Sequence, residues 1–170
     1  PRGCLEAALS LLRENGIGCD LRDERFGGRA LDVSFVGSLR LDQEAAIAGM
    51  LAHDTGVLCA PTAFGKTITA AAMIARRGVN TLVLVHRTEL LKQWQERLQA
   101  FLSVGKDMVG TIGGGRSRLT GNVDIAVMQS LSRQGEVNPL VENYGQVIVD
   151  ECHHVGAVSF DAILKRTKAK

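Results

Sequence analysis

The octapeptide APTAFGKT, residues 60–67, decides how this 170-residue chain folds. An apolar run at 56–59 precedes it, and an alanine-rich run at 68–77 follows it. A strand, a tight loop and a helix in this order form a phosphate-binding loop, in which backbone N–H groups and the helix N-terminus surround phosphate oxygens. Lys66 adds a positive charge there, and Thr67 adds a hydroxyl oxygen of the kind that Mg²⁺ prefers. The stretch therefore predicts a site for a nucleoside triphosphate and magnesium.

A second stretch, VIVDECHH at residues 147–154, supplies carboxylates. Residues 146–149 read as a buried strand, so Asp150 and Glu151 follow its carboxyl end. In open α/β sheets that end faces the ligand crevice. One carboxylate, Asp150, is predicted to hold the magnesium ion through water, while Glu151 orients and deprotonates the attacking water. With Lys66, these two residues are the predicted catalytic set.

Helical and strand patterns alternate after residue 40, which predicts an α/β fold with a central parallel sheet flanked by helices on both faces. The predicted helices lie near 42–53, 66–77, 88–101, 136–143 and 158–166, and the predicted strands near 56–60, 80–85, 107–112, 123–128 and 146–150.

The two stretches and the segments between them resemble one known family over residues 39–154. The octapeptide and Asp150-Glu151-Cys152-His153 look like motifs I and II of superfamily 2 helicases and translocases, in the DExH group. Four further segments match the leader and motifs Ia, Ib and Ic in order: 39–43, 84–87, 111–114 and 126–131. The pattern is most similar to XPB-like helicases and to prokaryotic helicases of defence systems. Ala63 departs from it, since the family generally has glycine there.

This resemblance implies the N-terminal RecA-like domain of a P-loop NTPase, and it implies a role for each matching residue. The residues assigned to nucleotide binding are Gln43, Pro61, Thr62, Ala63, Phe64, Gly65, Lys66 and Thr67. Thr67 and Asp150 are assigned to the magnesium ion. The residues assigned to nucleic-acid binding are His86, Arg87, Gly113, Gly114, Gln129 and Ser130. His153 is assigned to coupling between the ATP and nucleic-acid sites.

The implied function is ATP hydrolysis coupled to movement on, or unwinding of, nucleic acid, with DNA favoured over RNA. A second RecA-like domain in a longer chain would supply an arginine finger, so the isolated 170 residues are expected to be inactive. Two alternatives stay open. The chain could belong to the motor subunit of a restriction or defence nuclease, or it could be a binding module that holds ATP without turning it over.

Several of the assigned residues also have simpler interpretations. Gln43 could be a polar position on an amphipathic helix, and His153 a packed polar residue. His86-Arg87 could form a helix-entry loop without a ligand. The glycines at 113–115 fit a flexible turn as well as a close approach to a phosphodiester, where a Cβ would clash. Lys66 has no such easy alternative, because a lysine at a helix N-terminus opposes the helix dipole unless an anion is present.

Residues 1–38 are interpreted as an accessory segment made of a helix at 4–14 and a hairpin from 19–25 and 30–35. Residues 39–170 are interpreted as the first RecA-like domain, truncated at its C-terminus, and both chain ends are expected to be cuts in a longer protein.

Composition adds only weak constraints on function. The net charge of +2 does not by itself indicate nucleic acid. The four cysteines show no C-x-x-C spacing, which favours a reduced, cytoplasmic protein. Cys152, His153 and His154 are a poor zinc set, because neighbouring side chains on an extended segment point to opposite faces. No apolar run is long enough to span a membrane, so no membrane partner is expected.

Overall fold

A five-stranded, mostly parallel sheet organises the chain in a computed structural model that describes residues 4–133, 135–152 and 158–170. The seven strands are β1 (Thr81–Val85), β2 (Val109–Gly113), β3 (Arg116–Arg118), β4 (Val123–Val127), β5 (Ser132–Arg133), β6 (Glu136–Val137) and β7 (Gln146–Val149). The main sheet has the order β3-β2-β4-β1-β7, and only β3 runs antiparallel to its neighbour. Strands β5 and β6 form a separate small hairpin.

Six α-helices accompany the sheet in the described residues: α1 (Leu5–Glu14), α2 (Leu41–Leu51), α3 (Lys66–Arg77), α4 (Thr88–Phe101), α5 (Met128–Leu131) and α6 (Val158–Arg166). Two 3₁₀ helices, Lys106–Met108 and Pro139–Asn143, complete the regular structure. The predicted α/β class, with a mostly parallel sheet between helices, is confirmed. None of the described helices is both long and apolar enough to cross a membrane.

Both central strands, β1 and β4, are buried along their whole length. Such continuous burial is typical of parallel strands covered on both faces. Alternate residues divide between two cores: Val83 packs with α3 and α4 on one face, whereas Leu82 packs with Phe160 and Ile163 of α6 on the other. The sheet is therefore sandwiched between two helical layers, and its strand ends are left to form the site.

A buried carboxylate fixes the amino end of β4. Asp124 is fully buried and accepts hydrogen bonds from Thr120 N (2.9 Å), Thr120 Oγ1 (3.2 Å), Gly121 N (2.7 Å) and Tyr144 Oη (2.7 Å). Burial, together with the hydrogen bond to Asp124, raises the pKa of Tyr144 well above its usual range. Asp124 thus has a structural role, because its carboxylate oxygens accept hydrogen bonds from neighbouring residues of the same domain.

The predicted strand at 56–60 is wrong. These residues adopt no regular structure, and Val57 is 75% exposed. A strand needs a hydrogen-bonded neighbour about 4.8 Å away. In the described part of the chain β7 is the outermost strand on that side, and the segment before the phosphate loop does not pair with it.

The predicted hairpin at 19–35 is also wrong. Residues 26–36, which we call the N-terminal strap, bond instead to the body of the domain. Leu31 N donates to Gly78 O (2.8 Å), and Val36 N donates to Phe101 O (2.7 Å). At Gly28 a Cβ would lie 2.8 Å from Gly145 Cα, so glycine is required where the two backbones meet. These tertiary contacts outweighed the local turn signal at Gly27-Gly28.

The helix predicted at 136–143 is replaced by β6 and the 3₁₀ helix Pro139–Asn143. Proline lacks an N–H and fixes its own φ, so it starts a helical turn rather than continuing one. Asn138 caps that turn by accepting a hydrogen bond from Leu140 N (3.0 Å).

Candidate functional site

The carboxyl ends of four parallel strands meet at one edge of the sheet. β1, β2, β4 and β7 end at Val85, Gly113, Val127 and Val149. The loops that follow them carry the predicted nucleic-acid residues and the predicted carboxylates. The structure therefore gathers, along one edge, segments that are up to 65 residues apart in the sequence.

The phosphate loop enters α3 through two residues in the left-handed region. Gly65, directly before the helix, has φ +87°, and Ala63 has φ +66°. Glycine suits position 65, because a residue with a Cβ is strained at this φ, and the Cβ would lie 2.7 Å from Gln43 Nε2 and 3.0 Å from Ile68 Cγ2. At Ala63 the left-handed conformation carries a Cβ, which costs about 1–2 kcal/mol. Lys66 follows as the first residue of α3, with its side chain exposed.

The loop is anchored to the start of α2 through Phe64. Its carbonyl oxygen accepts hydrogen bonds from Gln43 Nε2 (2.7 Å) and from an Arg40 guanidinium N–H (2.9 Å). The guanidinium of Arg40 also lies 5.6 Å from the centre of the Phe64 ring, within the range of a cation–π contact. Gln43 Oε1 in turn accepts from Arg40 N (2.9 Å). This anchor was not predicted from the sequence.

Gln43 is only 3% exposed, and both ends of its side-chain amide are engaged within the chain. An amide has two N–H donors and two carbonyl lone pairs, so one of each remains beyond these contacts. The assignment of Gln43 to the adenine ring stays a prediction. What the structure shows is a contact with the backbone of the phosphate loop.

Thr67 and Asp150, the two residues assigned to magnesium, line the same cleft of about 580 Å³. Gly65 also lines this cleft, together with Leu90 and Trp94 of α4. A hydroxyl and a carboxylate suit Mg²⁺, which is usually held by one or two protein oxygens together with substrate phosphates and water. The described residues contain no group of three His, Cys, Asp or Glu that could hold a metal without such additional ligands.

Asp150 is held in place from two directions. Its backbone N–H donates to Leu84 O (3.0 Å), which continues the pairing with β1. Its Oδ2 accepts a hydrogen bond from the indole Nε1–H of Trp94 (2.8 Å). Nothing in the local sequence pattern signals this contact, which joins residues 56 positions apart.

Glu151 is exposed and has φ +56°, in the left-handed region that non-glycine residues seldom occupy. It follows β7 by two residues, and its assignment as the catalytic base stays a prediction. His153, assigned to coupling, lies outside the described residues.

The predicted nucleic-acid residues fall into two groups in the structure. Arg87, Gly114, Gln129 and Ser130 are exposed at the sheet edge, where Gln129 Nε2 donates to His86 O (3.3 Å) and joins the loops after β1 and β4. Gly113 is buried instead. A Cβ there would lie 2.6 Å from Val127 Cγ2, so packing alone requires glycine at this position. Gly114, at φ +59°, forms the turn between β2 and β3.

A phosphate loop at the start of a helix, with carboxylates at the end of a parallel strand, defines the P-loop NTPase class, to which superfamily 2 helicases belong. Comparison with known proteins agrees: residues 37–170 match the family model described as "Type III restriction enzyme, res subunit", and the chain belongs to this family. It is 33% identical over 143 residues to a putative DNA 3'-5' helicase Rad25 of Halobacterium salinarum, covering 82% of this chain and 24% of that protein. To the DNA 3'-5' translocase XPB2 of Sulfurisphaera tokodaii it is 32% identical over 117 residues, covering 69% and 25%.

The chain thus spans about a quarter of the length of these curated relatives. The fold is also that of the UvsW helicase from bacteriophage T4, with a TM-score of 0.72 at 16% identity, over 99% of this chain and 67% of that one. Sequence similarity to the Rad25 and XPB2 proteins therefore extends over most of the chain, and the likeness to UvsW is one of fold.

Proposed function

We propose that this domain binds ATP and Mg²⁺ and hydrolyses ATP to drive movement on DNA, as part of a two-domain motor. The observation that carries the proposal is the shared cleft of Thr67 and Asp150 at the N-terminus of α3. The N–H groups of that terminus and the helix dipole favour a phosphate. Oxygen ligands for the accompanying cation lie in the same cleft.

Each residue has a distinct part in the proposed reaction. Lys66 and the loop amides bind the phosphate oxygens, and Thr67 and Asp150 hold the magnesium ion, which neutralises phosphate charge when bound. Glu151 accepts the proton of the attacking water. A second RecA-like domain supplies an arginine to the same nucleotide. This arginine is expected to raise the rate of ATP hydrolysis by about a thousandfold or more.

The nucleic acid lies along the edge formed by Arg87, Gly114, Gln129 and Ser130. Arg87 is exposed there, and its planar guanidinium suits phosphate oxygens. DNA is favoured over RNA because several relatives are named DNA helicases or translocases. One relative, from Acanthamoeba polyphaga mimivirus, is named a putative RNA helicase, so the test must include both nucleic acids.

The decisive experiment is nucleotide binding by Lys66→Ala. Loss of a charge-assisted contact costs roughly 1.5–3 kcal/mol, which corresponds to about tenfold or more in affinity. Binding of a fluorescent ATP analogue should weaken accordingly, while circular dichroism shows an intact fold. Arg76→Ala, at the other end of α3, is the matched control and should bind nucleotide normally. Equal affinity of wild type and Lys66→Ala would reject the phosphate loop.

A second candidate is the motor subunit of a restriction or defence nuclease. The description of the matching family favours it, since that family is named for the res subunit of type III restriction enzymes. The ATP site would be the same in both cases. DNA cleavage assays on the full-length protein, with ATP and with a non-hydrolysable analogue, separate the two functions, and absence of any turnover would instead favour a nucleotide-dependent binding module.

A further inference from the structure

The only tryptophan of the chain makes a direct contact with the proposed metal-binding carboxylate. Trp94 is 4% exposed and packs in the same buried cluster as Leu91 and Leu98. Its indole N–H donates to Asp150 Oδ2 at 2.8 Å. Both residues line the cleft that contains Thr67. The side chain of Trp94, on α4, therefore reaches the proposed magnesium site.

We propose that Trp94 is a positioning residue that orients the Asp150 carboxylate for magnesium. This inference rests on the proposed function. An aspartate at a strand end can rotate about two side-chain torsions, and a donor on one oxygen restricts both. Oδ1 and the remaining lone pair of Oδ2 stay available to a metal or its water. Outer-shell partners of this kind tune ligand orientation, and their loss costs about tenfold or more in metal affinity.

The residue type supports this role over simple packing. Leucine, methionine or phenylalanine could fill a core position on α4 without adding a polar atom. Tryptophan adds an N–H that must find a partner when it is buried. Here the partner is the carboxylate of Asp150 rather than a backbone carbonyl, so the contact is charge-assisted and stronger than a neutral one.

Trp94 also lies on α4, which begins beside the proposed nucleic-acid site. The helix α4 starts at Thr88, directly after His86 and Arg87 at the nucleic-acid edge. A displacement of this helix would move the indole N–H relative to Asp150. The proposal thus connects the nucleic-acid edge to the magnesium site through α4 and the hydrogen bond from Trp94 to Asp150.

The contact can be observed directly, because one tryptophan gives one indole signal in a ¹H–¹⁵N correlation spectrum. We expect this signal downfield in the wild type, where the acceptor is charged, and upfield in Asp150→Asn. Glu151→Gln, one residue away, is the matched control and should leave it in place. Addition of Mg²⁺ with ADP should shift the signal. An unchanged signal in Asp150→Asn would overturn the contact.

The positioning role is tested by removing only the N–H. Incorporating β-(3-benzothienyl)alanine at position 94 keeps the shape of the side chain and replaces the N–H by sulfur. We expect the Mg²⁺ concentration that half-saturates nucleotide binding to rise about tenfold, with unchanged nucleotide affinity in EDTA. Leu98→Val, a buried change on the same face of α4, should leave the Mg²⁺ dependence unaltered.

Each other outcome has a separate meaning. If the analogue shows the wild-type Mg²⁺ dependence, or weakens nucleotide equally with and without Mg²⁺, Trp94 is a packing residue and the inference fails. If the wild type binds no nucleotide at all, the proposed function fails first.

Discussion

Gln43 donates a side-chain N–H to the carbonyl oxygen of Phe64 at 2.7 Å, which ties the first turn of α2 to the middle of the phosphate loop. The two residues are 21 positions apart, and Arg40 contacts the same oxygen. The conformation of the loop is therefore set partly by a different helix from the one it leads into.

The role of Gln43 can be separated from adenine recognition. Gln43→Leu should lower the free energy of unfolding by about 1–2 kcal/mol, because hydrogen bonds to Phe64 and Arg40 are lost. Urea denaturation measures this. If the residue only holds the loop, ATP and GTP affinities should fall by the same factor. A larger loss for ATP would show that it reads the base. Gln99→Leu on α4 is the control for the substitution itself.

Ala63 is strained at φ +66°, so Ala63→Gly should stabilise the protein. Relief of the left-handed penalty exceeds the extra entropy of glycine in the unfolded chain, and the expected gain is about 0.5–1 kcal/mol. Nucleotide binding should tighten as well. Thermal unfolding with and without nucleotide measures both effects. The same substitution within α3, Ala75→Gly, should instead cost about 1 kcal/mol. A loss of stability at position 63 would show that alanine fits the loop without strain.

Asp124 should be more important for stability than the exposed acids. Asp124→Asn places an amide N–H toward N–H and O–H donors, so we expect a loss of about 2–3 kcal/mol by urea denaturation. Tyr144→Phe removes one of the four hydrogen bonds and should cost about 1 kcal/mol. Asp161→Asn, on the surface of α6, should change stability by less than about 0.5 kcal/mol. Equal effects at positions 124 and 161 would contradict a structural role for the buried carboxylate.

Glu142 should contribute a pH-dependent increment of stability. Hydrogen bonds from Lys168 (2.8 Å) and Arg166 (2.9 Å) lower the pKa of Glu142. A lowered pKa stabilises the fold above the unfolded value, about 4.3, and that contribution disappears as the pH falls through the folded value. Glu142→Gln should therefore melt below the wild type at pH 7 and approach it at pH 3. Glu96→Gln, in an exposed pair with Lys92, should show little difference at either pH.

The sequence predicted those parts of the site that depend on local order along the chain. Residues 66–77 and 88–101 form helices with the predicted bounds, since helix-forming residues and apolar spacing agree there. Strand ends could be placed because β-branched apolar runs stop at polar residues. The relative position of Thr67 and Asp150 followed from the family resemblance, and the structure brings both to one cleft.

What the sequence could not predict were the contacts between distant segments. The bond from Trp94 to Asp150 and the anchor from Gln43 to Phe64 depend on how helices pack, and no local pattern encodes that. The prediction of a strand at 56–60 was wrong for a related reason, because a strand requires a hydrogen-bonded neighbouring strand as well as suitable residues. Gly113 illustrates a third limit, since a glycine needed for packing against Val127 looks the same in sequence as one needed for a ligand.

The N-terminal strap determines where the chain can be shortened or fused. Residues 26–36 bury Leu31 and exchange backbone hydrogen bonds with the ends of α3 and α4, whereas α1 has no buried residue. A purification tag or a fusion partner can therefore replace everything before residue 26 without uncovering the sheet. Cutting at residue 38 would instead strip hydrogen-bond partners from Gly78 and Phe101 and expose the apolar end of the α3–α4 layer.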